Sequence, residues 1–171
     1  VNEIVRLDAL TPGEPEVLVS GSDFVAAPRL SPDGTALAWL RWNHPSMPWD
    51  ATELVLRDLV SGDELVIAGG PDESVLEPRW SPDGALWFVS DRSDWWNLYR
   101  YTPGTDIATV VRVDAEIGVP HWQFAAARYA RLPDGAVVFA RLRRGYDALC
   151  VCAPDGTVTT VTWQAYAVPS V

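Results

Sequence analysis

The sequence predicts an all-β chain that is built from repeated four-stranded units. A turn motif recurs, as Ser-Pro-Asp-Gly at Ser31–Gly34 and Ser81–Gly84 and as Leu-Pro-Asp-Gly at Leu132–Gly135. The prolines of the three motifs lie 50 and 51 residues apart. Each motif stands between two apolar stretches, as a β-hairpin requires. A nearly constant period of this size indicates a repeat architecture.

Each motif contains the residue types that a tight turn needs. Proline presets φ for the second position of a type I turn, and aspartate hydrogen bonds to nearby backbone. Glycine accepts the left-handed conformation that follows. The residues predicted to form these structural turns are Pro32, Asp33, Gly34, Pro82, Asp83, Gly84, Pro133, Asp134 and Gly135.

The stretches that follow the turns are apolar on both faces of the predicted strand. ALAWLRW, ALWFVS and AVVFARL lack the alternation of a strand that faces solvent on one side. They therefore need cover on both sides, as in stacked sheets. Two more strands follow in each unit, around turns at Ser61–Asp63, Pro103–Gly104 and Pro154–Gly156. Four-stranded antiparallel sheets that repeat radially are the blades of a β-propeller.

The fold class predicted here is a partial β-propeller of about three four-stranded blades plus half of a preceding blade. Residues 1–22 are assigned to the end of an upstream blade, and 23–70, 71–114 and 115–163 to blades one, two and three. Residues 164–171 are assigned to the start of a next blade. Propellers close with about 4–8 blades. We therefore expect a segment of a larger propeller. Two alternatives stay open: a processed product, or a trimmed half-propeller that self-associates through its open blade edges.

Composition narrows the range of partners. The chain has a formal net charge of −10 and no lysine, so it lacks the basic stripe that binds nucleic acid. No apolar run reaches the roughly 18 residues of a membrane-spanning helix, and no signal-peptide pattern opens the chain. Cys150 and Cys152 are expected to be free thiols in a reducing cytoplasm. A metal site at these cysteines would need further cysteine or histidine ligands, and the chain has only His44 and His121. No metal and no cofactor is therefore predicted.

Candidate functional residues lie where the repeats differ from one another. Blade one has a long insertion that contains His44, Trp49 and Asp50. The connection into blade three contains Glu116 and Trp122, and a carboxylate beside a tryptophan can bind an amine by charge and cation–π contact. For both segments a structural role stays open, as a loop that caps the neighbouring blade or as a solvated loop with one buried tryptophan.

Blade two contains SDRSDWWNLYRY, in which Asp91 and Arg92 are predicted to pair. The pair would either tie neighbouring blades together or contribute to a ligand site. No catalytic constellation accompanies it, since the chain has no Gly-x-Ser-x-Gly elbow, no phosphate-binding loop and no His-Glu-x-x-His motif. No catalytic residue is therefore predicted.

Four segments together resemble one protein family. HPSMPWDATEL (44–54), GGPDESVLEPRWSPDG (69–84), SDRSDWWNLYR (90–100) and EIGVPHW (116–122) look like the non-catalytic propeller of prolyl-oligopeptidase-family serine peptidases, in the acylaminoacyl-peptidase and dipeptidyl-aminopeptidase-like branch. Propellers of the Tol-Pal type share the Ser-Pro-Asp-Gly turns. The Met-Pro-Trp-Asp loop and the Trp-Trp-Asn-Leu-Tyr strand are much more specific to the peptidases.

The resemblance implies a function and partners. In that family the propeller sits over an α/β-hydrolase domain that carries the catalytic serine, aspartate and histidine. It restricts entry to short peptides and contributes substrate contacts. The expected partners are thus a hydrolase domain, the remaining blades and a short peptide, and the residues expected to contact the peptide are His44, Trp49, Asp50, Glu116 and Trp122. The alternative is a non-enzymatic scaffold of the Tol-Pal or WD-repeat type that binds a protein or peptide.

Overall fold

The structure, a computed structural model, describes residues 2–11, 13–122 and 125–161, and every regular element in these ranges is a β-strand. The predicted start of a next blade at 164–171 lies outside the described residues. The strands are β1 (Ile4–Arg6), β2 (Glu16–Val19), β3 (Phe24–Leu30), β4 (Ala36–Trp42), β5 (Glu53–Asp58), β6 (Glu64–Gly69), β7 (Val75–Trp80), β8 (Leu86–Ser90), β9 (Asn97–Tyr101), β10 (Ala108–Val111), β11 (Tyr129–Arg131), β12 (Val137–Arg143), β13 (Tyr146–Cys152) and β14 (Val158–Thr160).

The strands form one two-stranded and three four-stranded antiparallel sheets, each in chain order. β1 pairs with β2, and the larger sheets β3–β6, β7–β10 and β11–β14 are the blades one, two and three. The predicted partial β-propeller is confirmed. The first strand of blade three is shorter than its apolar sequence predicts, because it begins only at Tyr129, after a long connection from blade two.

Three apolar layers lie between the four sheets, so the central strands of blades one and two are covered on both faces. In β4, Trp39 packs against the half-blade, whereas its neighbour Leu40 packs toward blade two. In β8, Phe88 faces blade one and Val89 faces blade three. Successive side chains of a strand point to opposite faces, so an all-apolar strand can join two layers at once. Each fully buried side chain of this size contributes roughly 1.5–3 kcal/mol to folding.

The hairpin topology sorts the connections onto two ends of the molecule. In the three blades, the turns from first to second strand and from third to fourth strand share one end, which we call the turn end (31–35, 59–63, 81–85, 102–107, 132–136 and 153–157). Four of these six turns contain Pro-Asp-Gly. Antiparallel strands bring the chain back, so the connections from second to third strand and those from sheet to sheet share the opposite end, here called the loop end (20–23, 43–52, 70–74, 91–96, 112–128 and 144–145, of which 123 and 124 are not described).

The turn end is held by local hydrogen bonds. The glycine N–H of each motif donates to the carbonyl three residues earlier, at 2.9 Å for Gly34 and Gly84 and 3.0 Å for Gly135. Asp33 Oδ1 accepts from the Ser31 hydroxyl at 2.6 Å and from the Thr35 N–H at 3.1 Å. These contacts depend only on residues within one turn.

Candidate functional site

All five residues predicted to contact substrate lie at the loop end. His44, Trp49 and Asp50 stand in the loop between β4 and β5, and Glu116 and Trp122 in the connection between β10 and β11. The structure brings two of them into contact across blade two. The Trp49 and Trp122 rings have centroids 4.3 Å apart and an interplanar angle of 43°. Trp122 is still 76% exposed, so this aromatic pair faces solvent.

The loop that carries Trp49 is anchored on the beginning of blade two. The Pro48 carbonyl accepts hydrogen bonds from the Thr52 and Ser74 hydroxyls, the latter at 3.0 Å. The Thr52 N–H donates to the Glu73 carbonyl at 3.1 Å. These contacts explain why the insertion leans across blade two toward Trp122.

His44 and Asp50 have mainly local contacts. The His44 N–H donates to Asp23 Oδ2 at 2.9 Å, and its ring lies edge-on to Phe24 at 5.0 Å between centroids. His44 lines a depression of about 240 Å³ that none of the other four predicted residues lines. Asp50 Oδ2 accepts from the Met47 N–H at 3.0 Å, so this carboxylate closes a turn of its own loop.

Glu116 and Trp122 were expected to act side by side, but the structure gives Glu116 a different aromatic neighbour. Glu116 is fixed to the end of β12 by two backbone hydrogen bonds with Leu142, of 3.0 and 2.7 Å. Its side chain accepts the Trp96 N–H at 2.8 Å. It lines a depression of about 410 Å³ together with Trp95, which is 37% exposed. Trp122 instead packs on Trp49.

The predicted pairing of Asp91 with Arg92 is wrong. The Arg92 guanidinium binds Glu73, with Nε–Oε1 at 2.9 Å and Nη2–Oε2 at 3.2 Å. Asp91 Oδ1 accepts the Ser74 N–H at 2.8 Å. Both contacts stay within blade two and join its first two strands at the loop end. Asp91 and Arg92 lie in the turn that follows β8, where the Asp94 N–H donates to the Asp91 carbonyl at 2.9 Å, and each side chain finds its partner in the segment before β7.

The three carboxylates of this region differ in their electrostatic surroundings. Burial acts to raise the pKa of Glu73, but hydrogen bonds from Arg92 and Ser90 outweigh it, and the pKa is lowered. Burial raises the pKa of Asp91 despite the Ser74 N–H, and the charge of Glu73 adds to the increase. Burial also raises the pKa of Glu116 despite the Trp96 N–H, and Asp91 adds to it.

Asp91 and Glu116 are therefore two half-buried carboxylates at the loop end, and the charge of Asp91 acts on Glu116. Neither makes a salt bridge within the described ranges. A cationic group that bound here would relieve the repulsion between the two carboxylates, because an opposite charge favours their ionised forms. The exposed face of Trp95 adds a surface for cation–π contact with the same ligand.

Sequence reasoning did not single out Glu77, which the structure buries on β7, the first strand of blade two. Its residue surface is 4% exposed, and burial raises the pKa of its carboxyl to about 7. The signal was present in VLEPRW, where an acid interrupts an apolar strand. Burying an ionised carboxylate costs free energy unless it is paired, so an acid in an apolar strand indicates a buried polar site.

The described part of the chain lacks two further kinds of feature. It contains no cluster of three or more histidine, cysteine, aspartate or glutamate side chains that could hold a metal ion. It also contains no helix long and apolar enough to cross a membrane.

Solved peptidase structures resemble this chain in sequence and in fold. No protein-family model matches the chain, and no curated protein matches it. Among solved structures, a puromycin-hydrolyzing peptidase of Mycobacterium tuberculosis is 32% identical, with a TM-score of 0.80 over 87% of this chain. A puromycin hydrolase is 33% identical, with a TM-score of 0.78 over 87% of this chain.

The resemblance to peptidases of the prolyl-oligopeptidase family is confirmed. The chain spans only 23% of the length of each of these two peptidases. TolB of Acinetobacter baumannii is 22% identical with a TM-score of 0.58, over 86% of this chain and 34% of its own. At that level of identity the likeness shows the propeller fold alone.

Proposed function

We propose that this chain is a non-catalytic propeller segment of a serine exopeptidase. It restricts access of short peptides and helps to position them for an α/β-hydrolase domain. The observation that carries the proposal is the 32–33% identity to puromycin-hydrolysing peptidases over 85–87% of the chain. One of those structures is a puromycin hydrolase mutant complexed with PGG. The nucleophile would come from the hydrolase domain, because this chain contains no nucleophile elbow.

The loop end forms the substrate-side wall in this proposal. The ammonium group of a peptide N-terminus would bind between Asp91 and Glu116, with Trp95 beside it. The exposed Trp49–Trp122 pair would pack against the peptide side chains. A cytoplasmic location is part of the proposal, because the free thiols Cys150 and Cys152 are typical of a reducing compartment.

The first test is the intact mass of the native polypeptide, with sequencing across both ends of this segment. We expect a product several times longer than this chain with a Gly-x-Ser-x-Gly motif outside it. A native product that contains only further blades would exclude the peptidase.

The second test measures steady-state kinetics of the full-length polypeptide. Glu116→Gln should raise KM about ten-fold for substrates with a free amino terminus, since one charge-assisted hydrogen bond is lost. KM for the N-acylated forms of the same substrates should not change. The matched control is Asp106→Asn in an exposed turn at the turn end, which should leave both values unchanged. Equal effects on free and acylated substrates would contradict amine binding at Glu116.

A further inference from the structure

The first strands of blades one and two, β3 and β7 (the inner strands), border a cavity that the proposed function does not use. Its volume is about 370 Å³, within the range of small-molecule sites. Its polar lining consists of Glu77, His121 and Arg29. Its apolar lining consists of Val25, Ala26, Ala27, Pro28, Leu40, Ala125 and Ala126.

Glu77 occupies a backbone position that blade one fills with alanine. Both inner strands have a register shift, between Ala26 and Arg29 in β3 and between Leu76 and Arg79 in β7. The residues within these bulges, Ala27 and Glu77, have φ of 49° and 51°. The bulge therefore forms with a methyl side chain, and a carboxylate is not needed to make it.

Only one oxygen of Glu77 has a structural partner. Oε2 accepts the Arg128 N–H at 2.9 Å and lies 3.4 Å from Arg79 Nη2. Oε1 has no hydrogen-bond partner among the described residues, although the side chain is only 1% exposed. Buried acceptors without a hydrogen-bond partner are rare in proteins, because burying such a group without a hydrogen bond costs free energy. A donor bound in the cavity would satisfy it.

Two other polar groups of the cavity complement that oxygen. Nε2 of His121 is buried and has no partner within the described ranges, and burial lowers the pKa of this imidazole, which keeps it neutral at pH 7. Arg29 is exposed at the cavity mouth, and its Nη1 donates a hydrogen bond to the Pro28 carbonyl at 3.0 Å. The cavity thus offers a carboxylate inside, a guanidinium at its mouth and aliphatic walls between them.

We propose that this cavity binds a free α-amino acid with a small aliphatic side chain. Its ammonium group donates to Glu77 Oε1, its carboxylate binds the guanidinium of Arg29, and its side chain packs on Val25 and Leu40. A zwitterion of this size presents both charges and an apolar group at once, which neither a simple amine nor an acylated amino acid does. The site does not depend on the proposed peptidase function, because it rests on different residues.

The test is isothermal titration calorimetry of the full-length polypeptide with L-valine at pH 7.5, beside L-valinamide and N-acetyl-L-valine. We expect saturable binding of valine. Binding of both analogues should be at least roughly ten-fold weaker, since each loses a charge-assisted contact. Glu77→Gln should weaken valine binding by a similar factor, and Ala26→Leu should block it by filling the cavity. The matched control is Glu16→Gln, an exposed carboxylate at the start of β2.

Three results would overturn the proposal. They are no saturable binding of valine, unchanged binding by folded Glu77→Gln, and equal binding of valine and N-acetyl-L-valine. Equal binding of valinamide would reassign the cavity to a simple amine or a peptide N-terminus and overturn the role of Arg29. If Glu77→Gln does not fold, Ala26→Leu and the ligand series on the unaltered chain decide the question.

Discussion

The two ends of this propeller segment are stabilised in different ways. At the turn end, each Pro-Asp-Gly motif closes on itself, as when Gly34 binds Ser31 and Asp33 binds Thr35. At the loop end, the principal contacts join residues far apart in the chain. Trp49 meets Trp122, and the Thr52 N–H donates to the Glu73 carbonyl. The turn end repeats one local solution, whereas the loop end differs from blade to blade.

This difference separates what the fold needs from what a function can use. A turn that depends on its own four residues can be copied in every blade without regard to the neighbours. A loop whose contacts cross between blades can hold carboxylates and aromatic side chains in a geometry that no single repeat contains. Substitutions at the turn end should therefore change stability alone, and those at the loop end should change stability, pH dependence or binding according to burial.

The largest effect is expected from Arg128→Leu at the loop end. Arg128 is 2% exposed, and its Nη2 lies 2.6 Å from Asp147 Oδ1. Its removal leaves a largely buried carboxylate without this guanidinium, which costs about 3–5 kcal/mol of unfolding free energy. At the turn end, Arg131→Leu breaks a 3.9 Å pair with Asp83, whose side chain is 60% exposed, and should cost about 1 kcal/mol or less. Urea denaturation of both variants measures the contrast, and equal losses would refute it.

The next effect is a pH dependence that comes from Glu77. Its folded pKa is about 7 against 4.5 for the model compound, so the folded state binds the proton more tightly. The resulting stability is fully present below pH 4.5 and is lost as the pH rises through 7. Its magnitude is about 3 kcal/mol. Arg79 and Arg128, which face this carboxylate, limit the shift but do not reverse it.

Glu77→Gln should flatten the stability profile between pH 4.5 and 7.5 in urea denaturation. The pKa values of Asp91 and Glu116 are also raised by burial, so their contributions have the same sign, and this variant should leave them unchanged. Asp33→Asn is the turn-end control. Local hydrogen bonds, first from Ser31, lower the pKa of Asp33, so its contribution is lost only as the pH falls below this window. An unchanged slope in Glu77→Gln would show that this carboxyl does not titrate there.

A smaller loss is expected from Gly84→Ala at the turn end. Gly84 has φ of +80° with open space around its Cα, so the cost is conformational and should be about 1 kcal/mol. Val60→Ala in the turn between β5 and β6 is the matched control, because this side chain is 85% exposed and its φ is not positive, so the variant should lose little or nothing. Thermal denaturation of both variants checks the difference. Equal shifts in Tm would mean that the turn conformation is not the reason.

The smallest change in stability is expected from Trp122→Ala. The side chain is 76% exposed, and losing its contact with Trp49 should cost about 0.5 kcal/mol. In the full-length polypeptide, however, KM for short peptides should rise. Gly84→Ala should show the opposite combination, with lower stability and an unchanged KM. If Trp122→Ala changes neither quantity, the aromatic pair has no role in substrate contact.

Several features of the loop end could not be derived from the sequence. The residue types of a binding surface were visible in the insertion of blade one and in the connection to blade three. Which of them meet was not, and the expected pairs Glu116–Trp122 and Asp91–Arg92 do not form. Glu116 lies beside Trp95 because backbone hydrogen bonds to Leu142 hold it at the end of blade three.

The sequence by itself determined the repeat, its strands and its turns, because these follow from short-range rules. The spacing of Pro32, Pro82 and Pro133 and the apolar strands after them depend only on turn chemistry and on burial of both sheet faces. Tertiary structure alone decided the pairing of Trp49 with Trp122 and the contact of Glu77 with the Arg128 N–H. Those contacts join residues about one blade or more apart in sequence, so they depend on how whole sheets stack, which no local pattern encodes.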